Sequence, residues 1–125
     1  MTAATITRLT LTGFEAVPVM RERAIDLSLS GNGDMTVSAA LKSYLKEVDA
    51  EARRHGVNVV HVHLGDLYFL SSSCLQAIAG WLLLVASRPS TDGYKVVFKT
   101  HAARDWQRRS LEAIRRIAPG TVTVV

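Results

Sequence analysis

Short segments in which apolar and polar residues alternate recur along the chain, and this pattern is typical of half-buried β-strands. Together with one continuous apolar run after Val57, they predict five strands at residues 5–11, 24–30, 59–64, 94–99 and 121–125. Between the strands, apolar residues recur every three or four positions, which predicts helices from Thr36 towards Gly56, from Leu75 to Ala86, and from Trp106 to Ile117. We expect Phe14–Glu22 to be an irregular connection, because Pro18 disfavours a central strand and a helix interior.

The order of these segments predicts the fold class. Strands that alternate with helices form parallel β-α-β units with right-handed crossovers. We therefore expect a single α/β domain with a mixed, mostly parallel sheet of about four to five strands, covered by about three main helices. In this interpretation Met1–Arg23 forms an N-terminal strand and connection, and Ala24–Val125 forms the core. Turns are predicted at Thr12-Gly13, at Gly31–Asp34 and at Pro89–Gly93.

The composition limits the class of protein. The chain has 125 residues, of which 48% are hydrophobic and 21% charged, as expected for one globular domain with a sizeable core. Its longest apolar run, Ala77–Ala86, is about half of what a membrane span requires. The N-terminus does not resemble a secretory signal, and the single cysteine excludes an internal disulfide. We expect a soluble cytoplasmic protein that needs no cofactor and has no membrane partner.

Two of the predicted helices have surfaces that are candidates for contact with a partner. The second helix is apolar on both sides, since Ala77, Trp81 and Leu84 lie opposite a Leu75–Val85 face, so a second layer or a partner should cover it. The formal charge of +4 is concentrated in the third helix, where Trp106 is expected to pack inward. Its basic surface consists of Arg104, Arg108, Arg109, Arg115 and Arg116. We interpret it as a solvated face or a site for an acidic protein, because no nucleic-acid-binding motif accompanies it.

A triplet of serines stands at the predicted start of the second helix, directly after Gly65–Leu70. A serine at this position can cap the helix, and the positive end of the helix dipole also suits an anion such as a phosphate. Ser71, Ser72 and Ser73 are therefore candidates for a phosphorylation switch, while an ordinary cap needs only one of them.

The segment Phe69–Leu75, together with the Gly33-Asp34 turn and the order of elements, resembles the STAS domain of bacterial anti-sigma factor antagonists and sulfate-transporter tails. The resemblance spans Ile25–Val125. It implies that Ser72 occupies the position phosphorylated by a partner-switching kinase. Ser71 replaces the family's aspartate, and Cys74 replaces its glycine, which puts a side chain where a partner's backbone would approach. The segments Asp105–Leu111 and Ser72–Leu75 suggest a divergent branch of the family.

A third kind of function depends on nucleophilic or metal-binding side chains. His61 and His63 lie two apart on one strand face and could bind a metal with a third ligand, for which the candidates are His55, His101 and Asp66. Cys74 lies in the first turn of a helix, where the dipole favours the thiolate. We expect these residues to be structural instead, with the histidines beneath a helix edge or on the less buried sheet face and the cysteine in the core.

We therefore expect a non-enzymatic regulatory domain that binds a kinase-type anti-sigma factor or a related switch protein. Its docking surface is predicted to consist of Gly33, Asp34, Ser71, Ser72, Ser73, Cys74 and Gln76. The alternative is a scaffold or homo-oligomerisation module without covalent switching, which would use the apolar second helix and the basic third helix. A small metal- or thiol-dependent enzyme built from His61, His63 and Cys74 is the third hypothesis. Nucleic acid is not an expected partner.

Overall fold

The computed structural model describes residues 6–89 and 93–125; Thr5 of the first predicted strand and Ser90–Asp92 of the predicted turn lie outside the described residues. The helices are α1 (Ser38–Arg54), α2 (Ser72–Ala86) and α3 (Asp105–Arg115). The strands are β1 (Leu9–Leu11), β2 (Phe14–Met20), β3 (Ala24–Gly33), β4 (Val59–His63), β5 (Leu67–Leu70), β6 (Lys95–Lys99) and β7 (Val122–Val124). The three predicted helices are therefore present, and α1 ends before Gly56, which has a positive φ of 62°.

One mixed sheet joins all the strands. Its order is β1-β2-β3-β4-β6-β7, and β5 pairs with the end of β3. The pairs β3–β4, β4–β6, β6–β7 and β3–β5 are parallel, whereas the two pairs made by β2 are antiparallel. The prediction of an α/β fold with a mostly parallel sheet is confirmed. The predicted number of four to five strands was too low, because two of the seven strands in residues 6–89 and 93–125 were not recognised in the sequence.

The first missed strand is β2, which we predicted to be an irregular connection because of Pro18. In the structure, Pro18 pairs with Leu27 of β3 within a regular antiparallel ladder. The neighbouring β1 covers only Phe14–Ala16 of β2, so the strand has an open side at Pro18. A proline is tolerated in a strand whose other side is open, since no ladder hydrogen bond is required there.

The second missed strand is β5, which we predicted to be part of the connection leading to the serines. It runs parallel to the last residues of β3, with Gly31 opposite Leu67 and Gly33 opposite Leu70. An irregularity between Gly31 and Asn32 shifts the register of this pair. Short strands with two exposed central residues give a weak periodic signal, which explains why the sequence did not reveal β5.

Gly31 joins three segments at this point of the sheet. Its N–H donates to the carbonyl of Asp66 at 2.9 Å, and the next residue, Asn32, donates its N–H to the carbonyl of Gly13 at 2.7 Å. Gly31 has a φ of 89°, and a Cβ atom there would lie 2.1 Å from the Gly13 oxygen. No other residue type fits this junction between the turn after β1, the end of β3 and the turn before β5.

The helices cover one face of the sheet. Alternate residues of the central strands are buried in one core, among them Ile25, Leu27, Val60, Val62 and Phe98. The residues between them, such as Asp26 and His61, lie on the opposite, half-exposed face. The helix α2 is buried through six residues including Trp81, but Leu83 and Leu84 remain 50% and 41% exposed, so the predicted cover is incomplete. Within residues 6–89 and 93–125, no helix has the length and apolar character of a membrane span.

The prediction for the inward face of α3 was partly wrong. Trp106 packs against the core as expected, although it is only partly buried, and Ile114 is buried. Ala113 and Ile117, which the apolar spacing predicts to share that face, are exposed, and the other buried residues of α3 are Gln107 and Leu111. The side-chain amide of Gln107 donates to the carbonyls of Leu64 and Leu67, both at 2.8 Å, and its oxygen accepts the N–H of His101 at 2.8 Å. This polar residue belongs in the core because all of these hydrogen bonds are satisfied there.

A buried charge network fixes the C-terminal end of α2. Arg88 donates two hydrogen bonds of 2.5 Å to the Asp49 carboxylate, and the Tyr94 hydroxyl donates a third at 2.8 Å. The indole N–H of Trp81 donates in turn to the Tyr94 oxygen at 2.9 Å. Burial favours a higher pKa for Asp49, but the hydrogen bonds from Arg88 and Tyr94 outweigh it and hold the pKa below its ordinary value of 3.8.

Candidate functional site

The loops after β3 and β5 meet at one edge of the sheet. β3 and β5 are parallel neighbours, so their carboxyl ends lie side by side, and the N–H of Ser71 donates to the carbonyl of Gly33 at 2.7 Å. Both α1 and α2 begin at this edge. Gly33-Asp34 and Ser71–Ser73, which were predicted to share one docking surface, are therefore neighbours in the structure. They lie at the position where open α/β sheets usually bind ligands.

The three serines have different structural positions. The Ser71 side chain is the N-cap of α2, since its hydroxyl accepts the N–H of Cys74 at 3.2 Å. Ser72 is the first helical residue and is exposed, whereas Ser73 is partly buried and faces α1. The capping function that any of the three could have served thus belongs to Ser71, and Ser72 presents its hydroxyl to solvent.

Two residues of the predicted docking surface lie beneath it. Cys74 is 0% exposed, and its thiol contacts the carbonyl of Asp34 at 3.4 Å. Its side chain points into the core, so the expectation that it would meet a partner's backbone is corrected. Gly33 is also buried, and a Cβ atom there would lie 2.7 Å from the Leu70 side chain and 3.5 Å from the Cys74 sulfur. Close packing between β3, β5 and α2 therefore explains why Cys74 is buried and why position 33 is a glycine.

Asp34 shapes the turn between β3 and α1. Its carboxylate accepts the N–H of Thr36 at 2.9 Å, and its carbonyl accepts the N–H of Val37 at 3.0 Å. The side chain of Asp34 is nevertheless exposed beside the start of α2. It gives a negative charge to the same edge of the sheet at which the exposed Ser72 lies.

Exposed apolar side chains also lie at this edge, and none of them was among the predicted docking residues. Met35 follows Asp34 and is 70% exposed. Phe69 of β5 is 49% exposed, and Tyr68 beside it is exposed too. The signal that was missed is a pair of aromatic residues between two leucines in β5, of which only the leucines, Leu67 and Leu70, are buried. Exposed aromatic and methionine side chains are common in protein-binding surfaces.

A groove of about 390 Å³ runs from this edge along the line between α1 and α2. Its residues on α2 recur with helical spacing from Ser73 to Leu84, and those on α1 extend from Ser38 to Lys46. Gln76, a predicted docking residue, is exposed at its rim. The groove was not predicted, because the sequence showed the apolar stripe of α2 but not which part of it α1 leaves uncovered.

The structure does not bring His61, His63 and Cys74 together. Val60 and Val62 lie in the core with Cys74, so the two histidines project from the opposite face of the sheet, one of the two positions expected for them. There His63 Nε2 lies 3.2 Å from the Asp26 carboxylate. The hydrogen bond from Arg21 is the largest cause of a lowered pKa of Asp26, and His63 contributes to it. No group of three metal-ligating side chains occurs in the described residues.

The third-ligand candidates occupy separate sites. His55 Nε2 lies 3.2 Å from Glu51 at the end of α1, and His101 accepts the N–H of Ala103 in the loop before α3. Asp66 lies in the turn before β5, where its carbonyl accepts the N–H of Gly31. The enzyme hypothesis therefore lacks the convergence of side chains that it requires.

The basic surface of α3 is divided between structural and exposed residues. Arg104 donates to the carbonyl of Gly65 at 2.8 Å, and its guanidinium lies 4.5 Å from the centre of the Tyr68 ring. Arg115 pairs with Glu112 on the same helix. The remaining members, Arg108, Arg109 and Arg116, are exposed. Arg104 therefore has a structural role, because its hydrogen bond connects the start of α3 to the turn before β5.

The fold is similar to that of solved bacterial proteins. An anti-sigma factor antagonist from Mycobacterium paratuberculosis matches with a TM-score of 0.61 and 18% identity, over 88% of this chain and 85% of its own. The phosphorylated form of the Bacillus cell fate determinant SpoIIAA matches with a TM-score of 0.57 and 10% identity, over 88% and 90% of the two chains. No protein-family model and no curated protein matches the sequence. At these identities the similarity shows the fold.

Proposed function

We propose that this chain, whose fold is STAS-like, is a non-enzymatic regulatory domain that docks onto a partner protein through one edge of the sheet. This edge is formed by the turn after β3 and by Ser71–Ser73 at the start of α2, which we call the serine loop. Phosphorylation of Ser72 switches this docking. The partner class that we propose is a kinase-type anti-sigma factor in the bacterial cytoplasm, because the similar solved structures are an anti-sigma factor antagonist and SpoIIAA.

The observation that carries the proposal is the division of roles between Ser71 and Ser72. Ser71 caps α2, so a kinase can modify the exposed Ser72 without removing the cap. A phosphate on Ser72 adds about −1.5 to −2 charges at the positive end of the helix dipole. The modified helix therefore keeps its structure while the charge of the docking surface changes.

The two departures from the family motif are compatible with this function. Serine and aspartate both cap helices by accepting the N–H of the third helical residue, so Ser71 retains the structural role that an aspartate would have. Cys74 replaces a glycine without adding a side chain to the surface, because its thiol is buried against Asp34. Neither change alters the exposure of Ser72.

The surroundings of Ser72 favour a switch by repulsion and desolvation. Met35 and Phe69 supply exposed apolar surface at the same edge, and the Asp34 carboxylate already supplies one negative charge. Burying a phosphate beside such groups in an interface is unfavourable, because the charge loses water and meets a like charge. We therefore expect the unmodified form to bind the partner and the phosphorylated form to release it.

Affinity purification from the native cell, followed by mass spectrometry, tests the proposal. The wild type is compared with Ser72→Ala and Ser72→Asp, and phosphate is mapped on the recovered chain. We expect a phosphopeptide at Ser72, a partner retained by Ser72→Ala, and loss of that partner in Ser72→Asp.

Ser43 provides a matched control, since it is an exposed serine on α1. The Ser43→Ala and Ser43→Asp variants should recover the same partner as the wild type. An unmodified protein that recovers identical partners in all three Ser72 forms would contradict the switch.

The second candidate function is a scaffold that associates without phosphate. The exposed Leu83 and Leu84 on α2 favour it, because adjacent exposed leucines on one helix are suited to an apolar contact between protein chains. Light scattering of the purified protein distinguishes the candidates. A dimer that dissociates in Leu83→Glu supports the scaffold, whereas a monomer in both forms argues against self-association.

A further inference from the structure

The groove between α1 and α2 has an apolar floor and a polar rim. Leu45, Ala77, Trp81 and Leu84 contribute to the floor, and Ser73 and Gln76 lie towards the end near the serine loop. From Ser73 to Leu84 the groove follows α2 for three turns, or about 17 Å. These dimensions suit one face of a short helix lying between α1 and α2.

Gly80 gives this groove its most informative feature. It lies in the interior of α2, where glycine costs about 1 kcal/mol relative to alanine. A Cβ atom at Gly80 would meet nothing within 4 Å, so the packing of this chain does not require a glycine there. Gly80 nevertheless lines the groove, where the missing side chain allows another backbone to approach α2 closely.

The charges of the groove select the chemistry of its occupant. Its charged lining residues are Lys42 and Lys46, both exposed on the α1 side. Among the described residues, no acidic side chain lines the groove, and α2 contains no charged residue. A helix that presents leucine-like side chains to the floor and carboxylates to α1 would complement both features.

We propose that this groove binds an acidic amphipathic helix of a protein partner, with Gly80 as the point of closest backbone approach. The proposal rests on the proposed function only in requiring a protein partner, and it does not depend on phosphorylation of Ser72. Because Ser73 lies both in the serine loop and in the groove, one partner can contact both surfaces.

A second copy of the chain is a poorer occupant. α2 is uncharged, and the two acidic residues of α3, Asp105 and Glu112, share that helix with three arginines, one of which pairs with Glu112. Neither helix therefore presents a predominantly acidic face to Lys42 and Lys46. In α1, Asp49 and Glu51 are buried within its own fold, and the exposed Glu47 is accompanied by Lys42 and Lys46 of the same helix. An external acidic helix fits the charges of the groove better than any of these three helices.

Site-specific photocrosslinking in the native cell tests the proposal. The photoreactive residue p-benzoylphenylalanine replaces Ala39, an exposed residue that lines the groove, and replaces Ala50 in the matched control, which is exposed on α1 outside the groove. Mass spectrometry then identifies the crosslinked segment. We expect a crosslink from position 39 but not from position 50, to a segment with apolar residues at helical spacing and flanking Asp or Glu.

Groove variants give the second readout. Gly80→Leu and the double variant Lys42→Glu with Lys46→Glu should each lower the crosslink yield about tenfold, which corresponds to about 1.4 kcal/mol of binding. Gly80→Ala should raise the melting temperature by about 4 °C, since it improves the helix without a clash. A lowered melting temperature would show that the fold itself needs the glycine and would overturn the inference.

The remaining outcomes separate this inference from the proposed function. Crosslinks to a basic or non-helical segment, to lipid or to a second copy would overturn the inference, as would a yield unchanged in the groove variants. If position 39 gives no crosslink while Ser72→Asp still abolishes partner recovery, the switch stands and the groove proposal fails. If no partner is recovered in any form, both proposals fail.

Discussion

The two ends of α2 are held in different ways. At its C-terminal end, the carboxylate of Asp49 accepts hydrogen bonds from Arg88 and Tyr94 and is almost inaccessible to water. At its N-terminal end, one neutral hydroxyl of Ser71 caps the helix, and the neighbouring Ser72 is exposed. Charge-assisted, buried bonds are costly to break, whereas a neutral cap contributes about 1 kcal/mol.

This difference separates the part of α2 that maintains the fold from the part that is open to regulation. A phosphate or a partner at Ser72 disturbs few buried contacts, because Ser72 is exposed and the buried Cys74 points away from this surface into the core. The difference predicts a large loss of stability when Asp49 is replaced and small changes in stability when the serines are replaced.

Asp49→Ala should have the largest effect. It leaves the Arg88 guanidinium without its carboxylate and the buried Tyr94 hydroxyl without an acceptor, which we expect to lower the free energy of unfolding by about 3 kcal/mol. Urea denaturation measures this loss. Glu47→Ala is the control, since Glu47 is exposed on the same helix, and it should change stability by less than about 0.5 kcal/mol. Equal effects of the two variants would refute the anchoring role.

Acid should weaken the same anchor. The pKa of Asp49 is lower in the folded protein than its ordinary value of 3.8, so its contribution to stability is fully present above that pH. The contribution is lost as the pH falls through the lower, folded pKa. We expect the melting temperature of the wild type to fall more steeply below pH 4 than that of Asp49→Asn. Parallel curves for the two proteins would be inconsistent with this prediction.

Ser71→Ala should have a smaller effect. It removes the hydroxyl that accepts the N–H of Cys74 and should destabilise the protein by about 1 kcal/mol. Ser71→Asp keeps an acceptor at the same position and should restore the stability. If Ser71→Ala is neutral in urea denaturation while Ser73→Ala is not, the cap has been assigned to the wrong serine.

Ser72→Asp should have the smallest effect, and in the opposite direction. A carboxylate at the first helical position interacts favourably with the helix dipole, so stability should increase by about 0.5 kcal/mol at low salt. The gain should shrink as salt is added, which thermal unfolding in increasing NaCl measures. A marked destabilisation would mean that Ser72 has a structural role and is a poor site for a reversible phosphate.

The fold was largely predictable because periodicity identifies elements that bury one face. β3, α1, β4 and β6 were found in this way, although the predicted ends differ by a few residues. The inward face of α3 was misjudged, since a hydrophobic pattern cannot indicate that Gln107 lies in the core. What places Gln107 there is a set of backbone carbonyls from Leu64 and Leu67, which only the tertiary structure brings within reach.

The candidate site was less predictable than the fold. The sequence indicated the Gly33-Asp34 turn and the serines as candidate site residues. It could not distinguish the serine that caps α2 from the serine with the exposed hydroxyl, because the three serines are consecutive. The burial of Cys74 depends on its contact with Asp34, forty residues earlier in the chain. The groove depends on how α1 packs against α2, and Gly80 was visible in the sequence only as an interruption of an apolar run.

The junction at Gly31 bears on which positions of this protein can vary. Gly31 has no side chain and takes part in no chemistry, yet the Gly13 oxygen occupies the place of its Cβ atom. Asn32, the next residue, is exposed and contributes to the junction through its backbone. In a saturation mutagenesis library selected for folding, Gly31 should therefore accept almost no replacement, whereas Asn32 accepts many. Mutational tolerance at this edge is set by the path of the backbone and not by the chemistry of its side chains.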